Sequence, residues 1–321
     1  MKRWLVPATV AIVVVVSAWR VAGHIDLSEL AAVRADQAAA TPVQFDEARA
    51  FEHLKQIVAI GPRPAGSVGI RQTRAYITRQ ISALGLTLEE QPFVASSPRG
   101  PVDMINLVLR FPGRRTDRVL ITGHYDTKSL PNQRFVGASD GGSSAAFLIE
   151  FARVLKARGP QELTYELVWF DGEEAFCLDW NECTKPGVPD HTYGSIYYVN
   201  AARRANALTS IKAMILVDMI GDKDLQIRRE TRSTTWLTDE IWATAKRLGH
   251  GNVFIDVGMD IEDDHIPFLD AGVQAVDIID LDDPQWHTVD DNMDNVSSKS
   301  VKIVGDVLLA ALPAIEKRIL R

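Results

Sequence analysis

Three apolar runs in this chain each stop at ionisable residues. Val119-Leu120-Ile121-Thr122 leads into Gly123-His124-Tyr125-Asp126, Leu167-Val168-Trp169-Phe170 into Asp171-Gly172-Glu173-Glu174, and Met214-Ile215-Leu216-Val217 into Asp218. Short runs rich in branched and aromatic residues, set between helical patterns, mark strands buried on both faces. Such a sheet needs helices above and below it, which restricts the chain to a layered α/β fold.

The remaining pattern predicts helices near 45–58, 71–84, 143–157, 193–203, 235–248, 266–271 and 298–319, and strands near 104–111, 118–122, 163–170, 214–219 and 274–279. The expected fold class is an α/β three-layer sandwich with a mostly parallel central sheet flanked by helices. No linker-like break follows Pro42, so 44–321 reads as one domain, preceded by an alanine-rich, polar linker at 24–43. Residues 1–23 place Lys2-Arg3 before an uncharged stretch from Trp4 to Trp19, and read as a signal anchor or signal peptide. The positive charges at its start put the body on the periplasmic or extracellular face, with membrane contact only through this segment.

Charge narrows the partners. The formal net charge is −7, and the leader holds three basic residues and no acid, so the remainder stands at −10. That sign repels a phosphate backbone and argues against nucleic acid. Two cysteines can build neither a disulfide scaffold nor a four-cysteine zinc site. Both lie in one irregular loop, and in an exported protein Cys177 and Cys183 are expected to form a disulfide.

Ligands of open α/β sheets bind beyond the carboxyl ends of the strands, where this chain sets His124, Glu173, Glu174 and Asp218. Asp140 lies between the first two runs, and His287 follows the last strand. Singly, each has a plain structural explanation: Asp263, for example, could cap the short helix after it. Together they make a set of carboxylates and imidazoles without thiolate, which suits zinc. Residues 248–298 add thirteen acidic residues and no Lys or Arg around His265 and His287, a mouth that attracts cations. Gly137-Ala138-Ser139-Asp140-Gly141 also fits the G-x-S-x-G turn of a serine hydrolase, but no strand leads directly into it. A non-catalytic binding domain on the same fold is a further alternative.

These segments resemble the zinc exopeptidases of the bacterial leucyl aminopeptidase type. Phe135-Val136-Gly137-Ala138, Glu173-Glu174-Ala175-Phe176, Asp263-Asp264-His265-Ile266-Pro267-Phe268-Leu269 and Trp286-His287-Thr288 resemble most the glutaminyl-peptide cyclotransferases of that superfamily, which convert N-terminal glutamine to pyroglutamate. The resemblance implies zinc on Asp140, Glu174 and His287, with Glu173 as acid/base and Asp218 and Asp263 as catalytic carboxylates. Trp286, with Trp180, would wall the glutamine pocket, and Asp277 would lie at its rim. A second zinc on His124, Asp140 and Asp218 is the arrangement implied by the aminopeptidase alternative. The substrates implied are peptide or protein N-termini. Two departures stand out: Asp277 replaces a histidine expected of the animal cyclases, and 179–192 is longer and carries a cysteine.

Overall fold

Alternate residues of the central strands face opposite helical layers, and this is what makes the fold three layers deep. The computed structural model describes residues 43–321, so the expected leader, and the linker except Val43, lie outside the described residues. Val43–Arg321 form one compact unit. Its helices are α1 (Glu47–Ile60), α2 (Val68–Ala83), α3 (Ser144–Arg158), α4 (Tyr193–Arg204), α5 (Thr235–Arg247), α6 (Ile266–Asp270) and α7 (Ser298–Ile319). The strands are β1 (Glu89–Ser97), β2 (Gly100–Phe111), β3 (Arg118–His124), β4 (Thr164–Phe170), β5 (Ile211–Asp218), β6 (Ile227–Glu230), β7 (Phe254–Met259) and β8 (Ala275–Ile279).

The six-stranded sheet has the order β1-β2-β4-β3-β5-β8. β4, β3, β5 and β8 pair in parallel, whereas β2 pairs antiparallel with both β1 and β4. In β3, Val119 and Ile121 pack in one core with α1, α2, α3, α5 and α7, while Leu120 faces a second core with α4 and α6. The period-two alternation of a strand thus serves two apolar faces at once.

Three strands escaped the sequence reading. β1 contains Pro92 and has mostly exposed residues, which a central strand would not tolerate but a sheet edge does. β6 and β7 form a separate two-stranded sheet, and the buried positions of Ile227-Arg228-Arg229-Glu230 are only its ends. Neither strand has an apolar run to announce it. Elsewhere the expected elements are present, with ends displaced by a few residues.

Candidate active site

Because β3, β4, β5 and β8 are parallel, their carboxyl ends share one edge of the sheet. His124 closes β3 and Asp218 closes β5, while Asp171–Glu174 follow β4 and the segment leading to His287 follows β8. Asp140 comes from a wide turn, Ala138–Ser143, entered through Gly137 at φ 48° and bent at Gly141 at φ 70°. Both glycines are required there. A Cβ on Gly137 would meet the Asp140 carbonyl oxygen at 2.3 Å, and one on Gly141 the Asp126 carbonyl oxygen at 2.4 Å.

The edge brings two three-residue groups together around one shared carboxyl. Asp140, Glu174 and His287 form the first, with His287 Nε2 3.4 Å from Asp140 Oδ2 and 3.3 Å from Glu174 Oε2. His124, Asp140 and Asp218 form the second, with His124 Nε2 3.2 Å from Asp140 Oδ1 and 3.0 Å from Asp218 Oδ1. Asp140 Oδ2 and both Glu174 carboxyl oxygens are buried without a hydrogen-bond partner. Two carboxylates and an imidazole, converging with orphaned oxygens, fit a zinc ion that keeps one position open. His287 holds a left-handed backbone at φ 54°, unusual for a residue with a side chain.

Backbone amides set the carboxylates in place. Asp126 accepts from the N–H groups of Glu173 and Glu174 at 3.1 and 3.3 Å, so the end of β3 fixes the segment after β4. Asp291 does the same for the Asp140 turn, accepting from the N–H groups of Ser139 and Asp140 at 2.6 and 3.1 Å. Neither role was read from the sequence. Asp126 was visible only as part of the strand-end segment Gly123-His124-Tyr125-Asp126, and Asp291 only as one acid of a long acidic run.

A cavity of about 180 Å³ opens onto both groups and is lined by Glu173, Asp263, Trp180 and Trp286 among others. Trp286 stacks on His287 and Trp180 on His191, with ring centroids 4.3 and 4.2 Å apart. Cys177 and Cys183 are bonded to each other, with Cα atoms 6.0 Å apart, in the loop that carries Trp180. Asp263 does not cap α6, whose N-cap is His265; its Oδ1 accepts from the Asp264 N–H, and its Oδ2 is buried without a partner. Asp277 does not line this cavity. It is wholly buried in β8, with its Oδ2 3.5 Å from His265 Nδ1. Ser139 is buried too, its hydroxyl accepting from the Gly221 N–H, and among the described residues no histidine hydrogen-bonds it as a serine nucleophile would need.

Packing so many acids together shifts their protons. Burial, with Glu174, Asp263 and Asp264 nearby, raises Glu173 well above the usual carboxylate range against the opposing pull of His124. Burial, reinforced by Asp218 and Asp264, does the same to Asp263. Burial works to lower His287, but Glu174 and Asp140 outweigh it and push the imidazole up to about 10. Asp140 goes the other way: burial would raise it, yet His124 and His287 hold it below its ordinary value.

Comparison with known proteins places these features in context. Residues 106–312 match peptidase family M28. The solved glutaminyl cyclase of an Acidobacteriales bacterium superposes with a TM-score of 0.80 at 35% identity, over 87% of this chain and 98% of that one. The glutaminyl-peptide cyclotransferase of Bos taurus is 26% identical over 77% of this chain and 76% of its own. A leucine aminopeptidase precursor from Bacteroides thetaiotaomicron, also solved, gives a TM-score of 0.76 at 25% identity, over 84% of this chain and 98% of that one.

Proposed function

Since the chain belongs to peptidase family M28 and, within it, to the glutaminyl cyclases, we propose that it converts the N-terminal glutamine of peptides to pyroglutamate with release of ammonia. The observation that carries this reading is the shared cavity. Asp263, with an unpartnered buried oxygen, and the indole of Trp286 line the same 180 Å³ space as Asp140, Glu174 and His287. An aminopeptidase has only to admit water and one side chain, whereas a cyclase must fold glutamine against its own α-amine.

Zinc on Asp140, Glu174 and His287 would supply Lewis acidity to the glutamine γ-carbonyl. The protein's own groups do the rest. The α-amine is already tethered to the carbon it attacks, which gives the high effective concentration of an intramolecular reaction. Glu173 takes a proton from the amine and returns it to the departing ammonia, a task suited to a carboxyl whose proton affinity burial has raised. Asp263 and Asp218 hold the nitrogen atoms, and Trp180 and Trp286 wall off competing water. Peptide and protein N-termini are the partners. The enzyme works outside the cytoplasm, a reading supported by the apolar leader in the sequence and the Cys177–Cys183 bond. Among the described residues, no helix is long and apolar enough to cross a membrane.

The second group, His124, Asp140 and Asp218, favours the alternative of a two-zinc aminopeptidase. One experiment separates the two. Incubated with the protein, a Gln-initiated peptide should lose the mass of one ammonia and keep its length. Release of free N-terminal residues from Leu-initiated peptides, with the Gln peptide unchanged, would establish the aminopeptidase instead.

A further inference from the structure

Arg63 lies in the Gly61-Pro62-Arg63-Pro64 connection between α1 and α2, and its side chain is completely buried. Its guanidinium donates to no side chain. Nε reaches the Tyr125 carbonyl at 3.0 Å, Nη1 the Val136 carbonyl at 2.5 Å, and Nη2 the carbonyls of Gly137 and Asp140 at 2.7 and 3.2 Å. The residue's own N–H is held by Thr127 Oγ1 at 3.0 Å. A buried cation is tolerated only where its donors are met, and here each of the three guanidinium nitrogens donates to main chain, from two separate segments.

Those segments carry the ligand groups. Tyr125 sits between His124 and Asp126, and the fourth carbonyl belongs to Asp140 itself, the residue common to both three-residue groups. The Asp140 turn closes around the guanidinium: a Cβ on Gly137 or Gly142 would lie 3.4 or 3.3 Å from Arg63 Nη2. We propose that Arg63 is a positioning residue for the metal centre, fixing the Asp140 turn against the end of β3 at the separation where carboxylates and imidazoles share an ion. The inference rests on the metal reading given above. It assigns Arg63 no contact with metal or substrate. A planar fork of donors in fixed directions suits the task, and a lysine ammonium, though equally charged, does not reproduce it.

The test is Arg63→Lys in the full chain, which keeps the buried positive charge. Zn²⁺ affinity is measured by competition with a chromophoric chelator, and Co²⁺ is substituted to read ligand geometry from its visible spectrum. Circular dichroism establishes that both proteins are folded at the temperature used. Loss of outer partners of a metal site typically weakens affinity by about 10- to 100-fold. We expect R63K to fold, to bind zinc weaker by that factor, and to give an altered cobalt spectrum. Wild-type protein that binds no zinc would overturn the metal reading itself. Tight wild-type binding matched by R63K with the same spectrum would overturn only the role of Arg63. An R63K protein that fails to fold would also overturn it, by assigning the residue to the fold as a whole.

Discussion

His287 Nε2 stands 3.4 Å from Asp140 Oδ2, too long for a good hydrogen bond and about the separation of two ligands around one ion. Without metal, the carboxylates of Glu174 and Asp140 outweigh burial and raise this imidazole from 6.5 to about 10, so it is protonated at neutral pH. Zinc has to displace that proton, and apparent affinity should rise about tenfold per pH unit for each proton released. Zinc titrations at pH 6 and pH 8 check this, and a pH-independent affinity would contradict it. The metal-free fold should show the opposite trend. A group whose pKa is raised in the folded state stabilises it fully below its unfolded value, so this contribution is lost as pH climbs from about 6.5 to about 10.

Replacing Glu173 with Gln keeps the shape of the side chain but removes its ability to carry a proton. Turnover should fall by about 10² to 10⁴, the usual contribution of a general acid/base, with zinc content unchanged. Metal analysis and single-turnover kinetics on the same sample provide the check. A variant with near-normal turnover would hand the proton transfer to another carboxyl of the cavity.

Asp263→Ala should abolish ammonia release from Gln-initiated peptides and leave the metal in place, because Asp263 belongs to neither ligand group. The loss should appear in kcat as well as kcat/KM if the carboxyl acts on the reacting nitrogen in the transition state. Loss of zinc in this variant would instead make Asp263 part of the metal centre.

The Cys177–Cys183 bond encloses the turn that presents Trp180 to the cavity. Changing both cysteines to Ser should raise KM for Gln peptides while leaving zinc affinity as it was. Thiol titration of the unreduced, denatured wild type should find no free thiol. Two titratable thiols would refute the bond in the native protein.

What the sequence disclosed and what it hid follow one division. His124, Glu173, Glu174 and Asp218 were legible because each ends or follows an apolar run, and four parallel strands must bring those ends to one edge. Asp140 and His287 stood out by their places between and after the apolar runs, but their pairing with Glu174 came only from the family resemblance, since they sit on irregular segments whose course no periodicity reveals. Arg63 gave no signal, because its partners are carbonyl oxygens, which every residue possesses. Asp277 is wholly buried in β8 and does not line the cavity. The strand pattern gave its position along β8, but the burial of its side chain depends on packing from elsewhere in the chain.

The two ligand groups have only Asp140 in common, and this bears on how such proteins acquire new reactions. His124 and Asp218 end β3 and β5, whereas Glu174, His287 and the turn that holds Asp140 lie on the segments between regular elements. One-ion and two-ion chemistry would therefore share Asp140 and the cavity and differ in whether the His124 and Asp218 side of that carboxyl takes part in holding metal. Hydrolysis and cyclisation would then be neighbours in sequence space, separated by the occupancy of one side of a single carboxyl group.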